Sequence, residues 1–177
     1  MRKLTNEELK RKSIEEFKSS GKSPFLIVLD NVRSLNNIGS IFRSADAFLV
    51  EAVWLCGITA TPPHREIHKS ALGATESVDW RYFDSTVSAV AELKAKGYFI
   101  VAVEQTDMSV PLDRFTVEPG KKYALVFGHE IKGVSEEVAA MADMCVEIPQ
   151  YGTKHSFNVA VSAGIVLWEL AGRTRAK

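Results

Sequence analysis

PFLIVLDNVRSLNNIGSIFRSADAFLVEAVWLC, residues 24–56, is a complete strand–helix–strand unit. FLIVL (25–29) is apolar without alternation, the pattern of a strand buried on both faces. The loop DNVRSLN leads into a helix expected from about Asn37 to Leu49, with Asn37 as its N-cap. Helical spacing puts Ile38, Ile41, Phe42, Ala45 and Leu49 on one apolar stripe and Arg43 on the opposite side. AVWLC (52–56) reads as the next strand. A helix between two such strands makes them parallel neighbours.

The alternation continues toward the C-terminus. VDWRYF (78–83), YFIVAV (98–103), YALVF (123–127) and CVEI (145–148) read as strands. A proline-containing loop, Thr59 to His64, precedes a short helix around Glu66 to Leu72. A second helix spans Ser85 to Lys96, with Val87, Val90 and Leu93 inward and Gly97 as its stop. Ser135 caps a third, running to about Ala142. The expected fold is α/β, a mostly parallel sheet with helices on both faces. Toward the N-terminus, residues 3–20 read as a charged amphipathic helix with a Thr5/Glu8 capping box and Gly21 at its end. Leu9, Ile14 and Phe17 would dock it, and Lys10, Arg11, Lys12 and Lys18 would form a solvated or RNA-facing side. The organisation expected is a basic helical extension over 1–23 and one domain over 24–177.

At 177 residues the chain is long enough for one full core. Lys plus Arg and Asp plus Glu number 22 each, so net charge neither favours nor excludes a nucleic-acid partner. Cys56 and Cys145 form no CxxC, which argues against a disulfide framework or a zinc knuckle. The sequence shows neither a signal peptide nor a membrane-length apolar run near its start, so a soluble protein of a reducing, cytoplasmic compartment is expected. No GxGxxG follows the first strand and no GxxxxGK[ST] occurs. His64, Glu66 and His68 read HxExH rather than HExxH, so no metal site is expected. With Arg65 and Lys69, His68 reads instead as a basic RNA-facing patch or a plain solvated helix, and Arg33 is a further RNA-facing candidate.

In open parallel sheets ligands bind beyond the carboxyl ends of the strands, and three of those ends carry unusual residues. The first, NVRSLNNIGSIFRSAD (31–46), offers Asn37 at a helix start, Gly39 for a close approach, and Arg43, which could simply pair with Asp46. The second, FGHEIKGVS (127–135), brackets His129 and Glu130 with glycines, suiting either a turn or a loop folded around a ligand. His129 reads as a polar filler. The third is EIPQYGTKHSFNVAVSAGIVLWEL (147–170), where Ser156 and Asn158 stand at the mouth of a helix. From Phe157 to Trp168 only Asn158, Ser162 and Gly164 are not apolar, so that helix needs burial on every side, against its own sheet and a second subunit.

Together these three segments resemble the SpoU-type RNA 2′-O-ribose methyltransferases of the SPOUT superfamily. The matching residues are NIGSIFR (37–43), FGHEIKGV (127–134) and IPQYGTKHSFNVAVS (148–162), in order and at family spacing. The resemblance implies a deep C-terminal trefoil knot, S-adenosylmethionine held in a bent form within it, a homodimer, and tRNA or rRNA as substrate. By position it implies Asn37, Arg43, Glu130, Ser156 and Asn158 as catalytic residues. Gly128, Ile148, Phe157 and Ser156 would hold the cofactor, with Glu104 added at the end of its strand. Gln150 and Phe157 stand where methionine and leucine are common, which bears on the pocket's detailed shape. Arg43 could act as the base or as a phosphate clamp; a guanidinium resists deprotonation. A base-nitrogen methyltransferase of the same superfamily uses an acid-and-proline pattern not found here. A non-catalytic RNA-binding protein would not need all five residues.

Overall fold

A computed structural model describes residues 1–5 and 7–175. Helix α1 covers Ile14–Ser19, strand β1 Phe25–Asp30, helix α2 Leu35–Ala47 and strand β2 Ala52–Cys56. Two short helices follow, α3 (Arg65–Ala71) and α4 (Ala74–Ser77), then strand β3 (Asp79–Phe83), helix α5 (Thr86–Ala95) and strand β4 (Phe99–Val103). The two-residue strand β5 (Val110–Pro111) and a 3-10 turn at Leu112–Arg114 lead to strand β6 (Tyr123–Phe127). Helix α6 (Glu136–Met141), strand β7 (Met144–Glu147) and helix α7 (Val159–Arg175) complete the chain.

The seven strands lie in the order β3-β2-β1-β6-β4-β7-β5, and every neighbouring pair is parallel. Alternation along β1 divides the core. Phe25, Ile27 and Leu29 face α2 and α7, while Leu26 and Val28 face α5 and α6. All six β1 residues are buried: Phe25 to Leu29 as their unbroken apolar run predicts, and Asp30, read as the start of the loop, with them. The stripe of α2 behaves the same way: Ile38, Ile41, Phe42 and Ala45 are buried, and Leu49 packs at its margin. Gly39 fits a close contact with α3, because a Cβ there would lie 2.3 Å from the Ile67 carbonyl oxygen. The close approach anticipated at this glycine is therefore made by another backbone.

Three expectations need correction. The single helix over 3–20, which also spans Asn6 outside the described residues, is instead a capped turn followed by the short α1. Thr5 and Glu8 do exchange the capping-box bonds, but Lys10 takes a left-handed φ of 45° and ends the turn. A second capping box, Ser13 with Glu16, then starts α1, where Phe17 is buried while Leu9 and Ile14 stay exposed. Secondly, α2 starts two residues earlier than expected, capped by the Ser34 hydroxyl, which accepts from the Asn37 amide at 3.3 Å. The single chain covers α7 on one side, and the side expected to meet a second subunit stays open. Val159, Ala163, Val166, Leu167, Leu170 and Ala171 are buried against α2 and the core, whereas Val161 is exposed and Trp168 is 72% exposed. Finally, Asp46 accepts from the Ser77 hydroxyl rather than pairing with Arg43. The reading also passed over α4, β5 and the 3-10 turn, elements too short to show a period.

Candidate active site

The carboxyl ends of β1, β6 and β7 bring the three unusual segments to one rim of the sheet. Glu130, in the loop after β6, reaches the start of α2. Its Oε2 accepts from the Arg33 amide at 3.1 Å, and its Oε1 accepts from the Ser34 amide at 2.8 Å and from Asn37 Nδ2 at 3.1 Å. A helix start leaves amides without partners and carries partial positive charge, so a carboxylate placed there is doubly favoured. Burial works to raise the Glu130 pKa, but the amides of Ser34 and Arg33, with help from Asn37, hold it below the ordinary carboxylate value.

Asn37 is freed from capping because Ser34 does that work. It spends its side chain sideways: Nδ2 on Glu130, and Oδ1 accepting from Asn158 Nδ2 at 3.0 Å. Asn158 in turn caps α7, its Oδ1 accepting from the amides of Ala160 at 2.9 Å and Val161 at 3.3 Å. It is thus the N-cap of α7 and not a first-turn residue, and Ser156 stands two residues ahead of it, fully on the loop. One hydrogen-bonded line, Glu130–Asn37–Asn158, therefore ties all three segments together.

Beside this line lies a cavity of about 300 Å³ whose walls include Glu104, Gly128, Glu130, Ile148, Ser156 and Phe157. All five residues expected to hold a cofactor line it. Val103, Val146, Ile148 and Phe157 give it an apolar wall, and backbone from 127–133 gives it polar edges, a lining suited to a nucleoside. Glu104 is engaged: its carboxylate accepts from the amides of Val134 at 2.8 Å and Gln105 at 2.9 Å. It braces the 128–134 loop. Within that loop His129 is the filler expected, its Nδ1 accepting from the amides of Ile131 and Lys132.

Arg43 lies elsewhere. It is exposed on α2 and lines a separate groove with Lys10, Arg11 and Lys12, so the single chain does not bring it to Asn37, Glu130 and Asn158. Arg65 and His68 are exposed on α3 and line another cavity beside Trp80, while Lys69 pairs with Glu66 at 2.9 Å. Arg33 is exposed on the rim itself. Two residues escaped the sequence reading. Ser34 is one. Asp30 is the other: this buried carboxylate accepts from Asn31 Nδ2 at 2.8 Å, the Thr86 hydroxyl at 2.6 Å and the Ser135 amide at 2.8 Å. An aspartate closing a fully apolar strand was the available signal. Among the described residues, no three His, Cys, Asp or Glu gather as a metal site, and no helix is long and apolar enough to cross a membrane.

Residues 24–168 match the model of the SpoU rRNA Methylase family. Over 146 residues the chain is 35% identical to the 23S rRNA (guanosine-2'-O-)-methyltransferase RlmB of Neisseria meningitidis serogroup B, covering 82% of this chain and 57% of that protein. Over 166 residues it is 28% identical to the tRNA (guanosine(18)-2'-O)-methyltransferase of Borreliella burgdorferi, covering 94% of this chain and 74% of the relative. The AdoMet-bound rRNA methyltransferase structure from Sinorhizobium meliloti superposes with a TM-score of 0.80 at 28% identity, over 93% of this chain and 60% of that one. The chain thus spans a little over half the length of the first of these relatives.

Proposed function

The chain belongs to the SpoU rRNA Methylase family, and on that premise we propose that it methylates a ribose 2′-OH of tRNA or rRNA, using S-adenosylmethionine. The observation that carries this reading is the line Glu130–Asn37–Asn158, which joins the three segments beside a nucleoside-sized cavity. Gly128, Ile148, Ser156 and Phe157 would hold the cofactor there. Its sulfonium supplies a transferable methyl group, so much of the acceleration comes from alignment.

Glu130 fixes the start of α2 and, through Asn37, the position of Asn158. Asn37, Asn158 and Ser156 orient the ribose. Arg43 clamps the neighbouring phosphate and stabilises the alkoxide that develops as the hydroxyl proton leaves to phosphate or water. A guanidinium is made for that role, presenting a rigid fork of donors while keeping its charge. Because Arg43 lies outside the cavity of its own chain, we assign its meeting with the ribose to a homodimer. The exposed stripe of Val161, the half-buried Ile165 and Trp168, at helical spacing on α7 beside α2, supports an interface there. The deep knot belongs to this reading, as does a cytoplasmic location.

The test is direct. Purified protein with labelled S-adenosylmethionine, given total RNA from cells lacking the gene, should label RNA, and nucleoside analysis should find the label in 2′-O-methylated ribose. Label confined to a base, or none, would refute the reading.

A further inference from the structure

We infer that the cavity on the far side of the 129–133 loop is a subsite for a splayed-out base of the substrate RNA. The inference rests on the proposed RNA methylation. This second cavity, about 450 Å³, opens beyond the ends of β1, β2 and β6 and shares the wall His129–Gly133 with the first. Its other lining includes Asn31, Arg33 and Ile58.

Two large apolar side chains line it while facing water: Ile58, 61% exposed, and Ile131, 87% exposed. Neither sits on a slack loop. The amides of His129 and Gly133 each donate to the other's carbonyl, at 3.0 and 2.8 Å, and His129 Nδ1 holds the Ile131 amide at 3.0 Å. On the opposite side Asn31 Oδ1 accepts from the Ile58 amide at 3.2 Å, and the Tyr82 hydroxyl donates to the Gly57 carbonyl at 2.9 Å. Asn31 adopts a left-handed φ of 57° to do this, and a Cβ on Gly57 would lie 2.2 Å from its oxygen. The chain has thus pinned two backbone segments in an arrangement whose result is a pair of wet isoleucines.

Arg33 and Lys132 stand at the same cavity, and among the described residues neither has an ion-pair partner. The one acid in the lining, Asp30, is buried and already accepts three hydrogen bonds. Rigid apolar walls with unpaired cations at the edge match a flat ring tethered to phosphates. RNA readers take up unstacked bases in this way, between apolar side chains. The occupant is placed next to the site because Arg33, through its amide, is bonded to Glu130.

The experiment compares the wild type with Ile58→Ala, whose side chain lines this cavity and not the first, and with Arg33→Gln. Four quantities are read: thermal midpoint, S-adenosylmethionine affinity by calorimetry, KM and kcat on RNA from cells lacking the gene, and retention of that RNA on filters. Ile58→Ala should raise KM about fivefold or more, the scale of losing one base contact. The midpoint should stay within about 2–4 °C of wild type, and cofactor affinity and kcat at saturating RNA within about twofold. Arg33→Gln should raise KM and flatten its salt dependence. Unchanged KM and retention would overturn the subsite, as would a matching loss of cofactor affinity. If the wild type transfers no methyl group to ribose, the proposed function fails on its own. Filter retention then still decides the subsite: weaker retention by Ile58→Ala sustains it and equal retention ends it.

Discussion

Glu130 and Asn37, 93 residues apart in sequence, are bonded through Oε1 and Nδ2 at 3.1 Å, and the same carboxylate holds the two amides at the entrance to α2. One side chain therefore caps a helix and aims a neighbour. That double duty separates two consequences of its removal.

Glu130→Gln should lower stability by about 1 kcal/mol at neutral pH, the usual scale of a lost cap interaction. A carboxylate with a depressed folded-state pKa adds stability above its unfolded value, near ~4.3 for Glu, and loses it as pH falls through the folded value. The gap between wild type and variant should therefore be widest at neutral pH and close in acid, in urea melts run across that range. A gap that widens on acidification would contradict the depressed value at Glu130.

Arg43→Ala should cut methyl transfer by at least ~10²-fold, the scale for removing one preorganised charge-stabilising group. Arg43 is exposed, so the folded state should shift by less than ~0.5 kcal/mol. Calorimetry should find S-adenosylmethionine binding nearly intact. Arg43→Lys, which keeps the charge but loses the fork, should fall between the two.

Gly39→Ala should destabilise by roughly 1–3 kcal/mol, although alanine is the better helix former. The new methyl would meet the Ile67 carbonyl and the Ser70 hydroxyl, forcing α3 away from α2. Chemical denaturation measures the loss. A gain in stability would mean that the helix pair separates freely.

Trp168→Glu should yield a monomer in sedimentation runs, with the monomer still folded by circular dichroism, because the ring is mostly exposed in the single chain. Methyl transfer should fall with the dimer, since Arg43 is assigned to a site completed between subunits. A dimeric Trp168→Glu protein would move the interface elsewhere.

Much of the fold was legible because the strands of the sheet's interior announce themselves. FLIVL and YALVF have no polar residue to place, so only a two-sided burial suits them. Ends of elements were harder. Both Ser34 and Asn37 are good caps, and the choice between them was settled by Glu130, a residue from a loop far along the chain. The same holds for Asn158, whose capping role depends on where α7 starts. Arg43 marks the opposite limit: its side of the helix followed from spacing, but what it faces depends on packing of the N-terminal segment. The α7 sequence stated a need for cover on every side, and the single chain supplies it on one side only.

The hydrogen bonds at the rim have a consequence for biosynthesis. Asp30 waits for Ser135, 105 residues on, and Asn37 waits for Asn158, 121 residues on. A growing chain on the ribosome thus carries the first half of its site long before the second half exists. Nothing local can complete it: the line from Glu130 through Asn37 to Asn158 closes only when the last helix is in place.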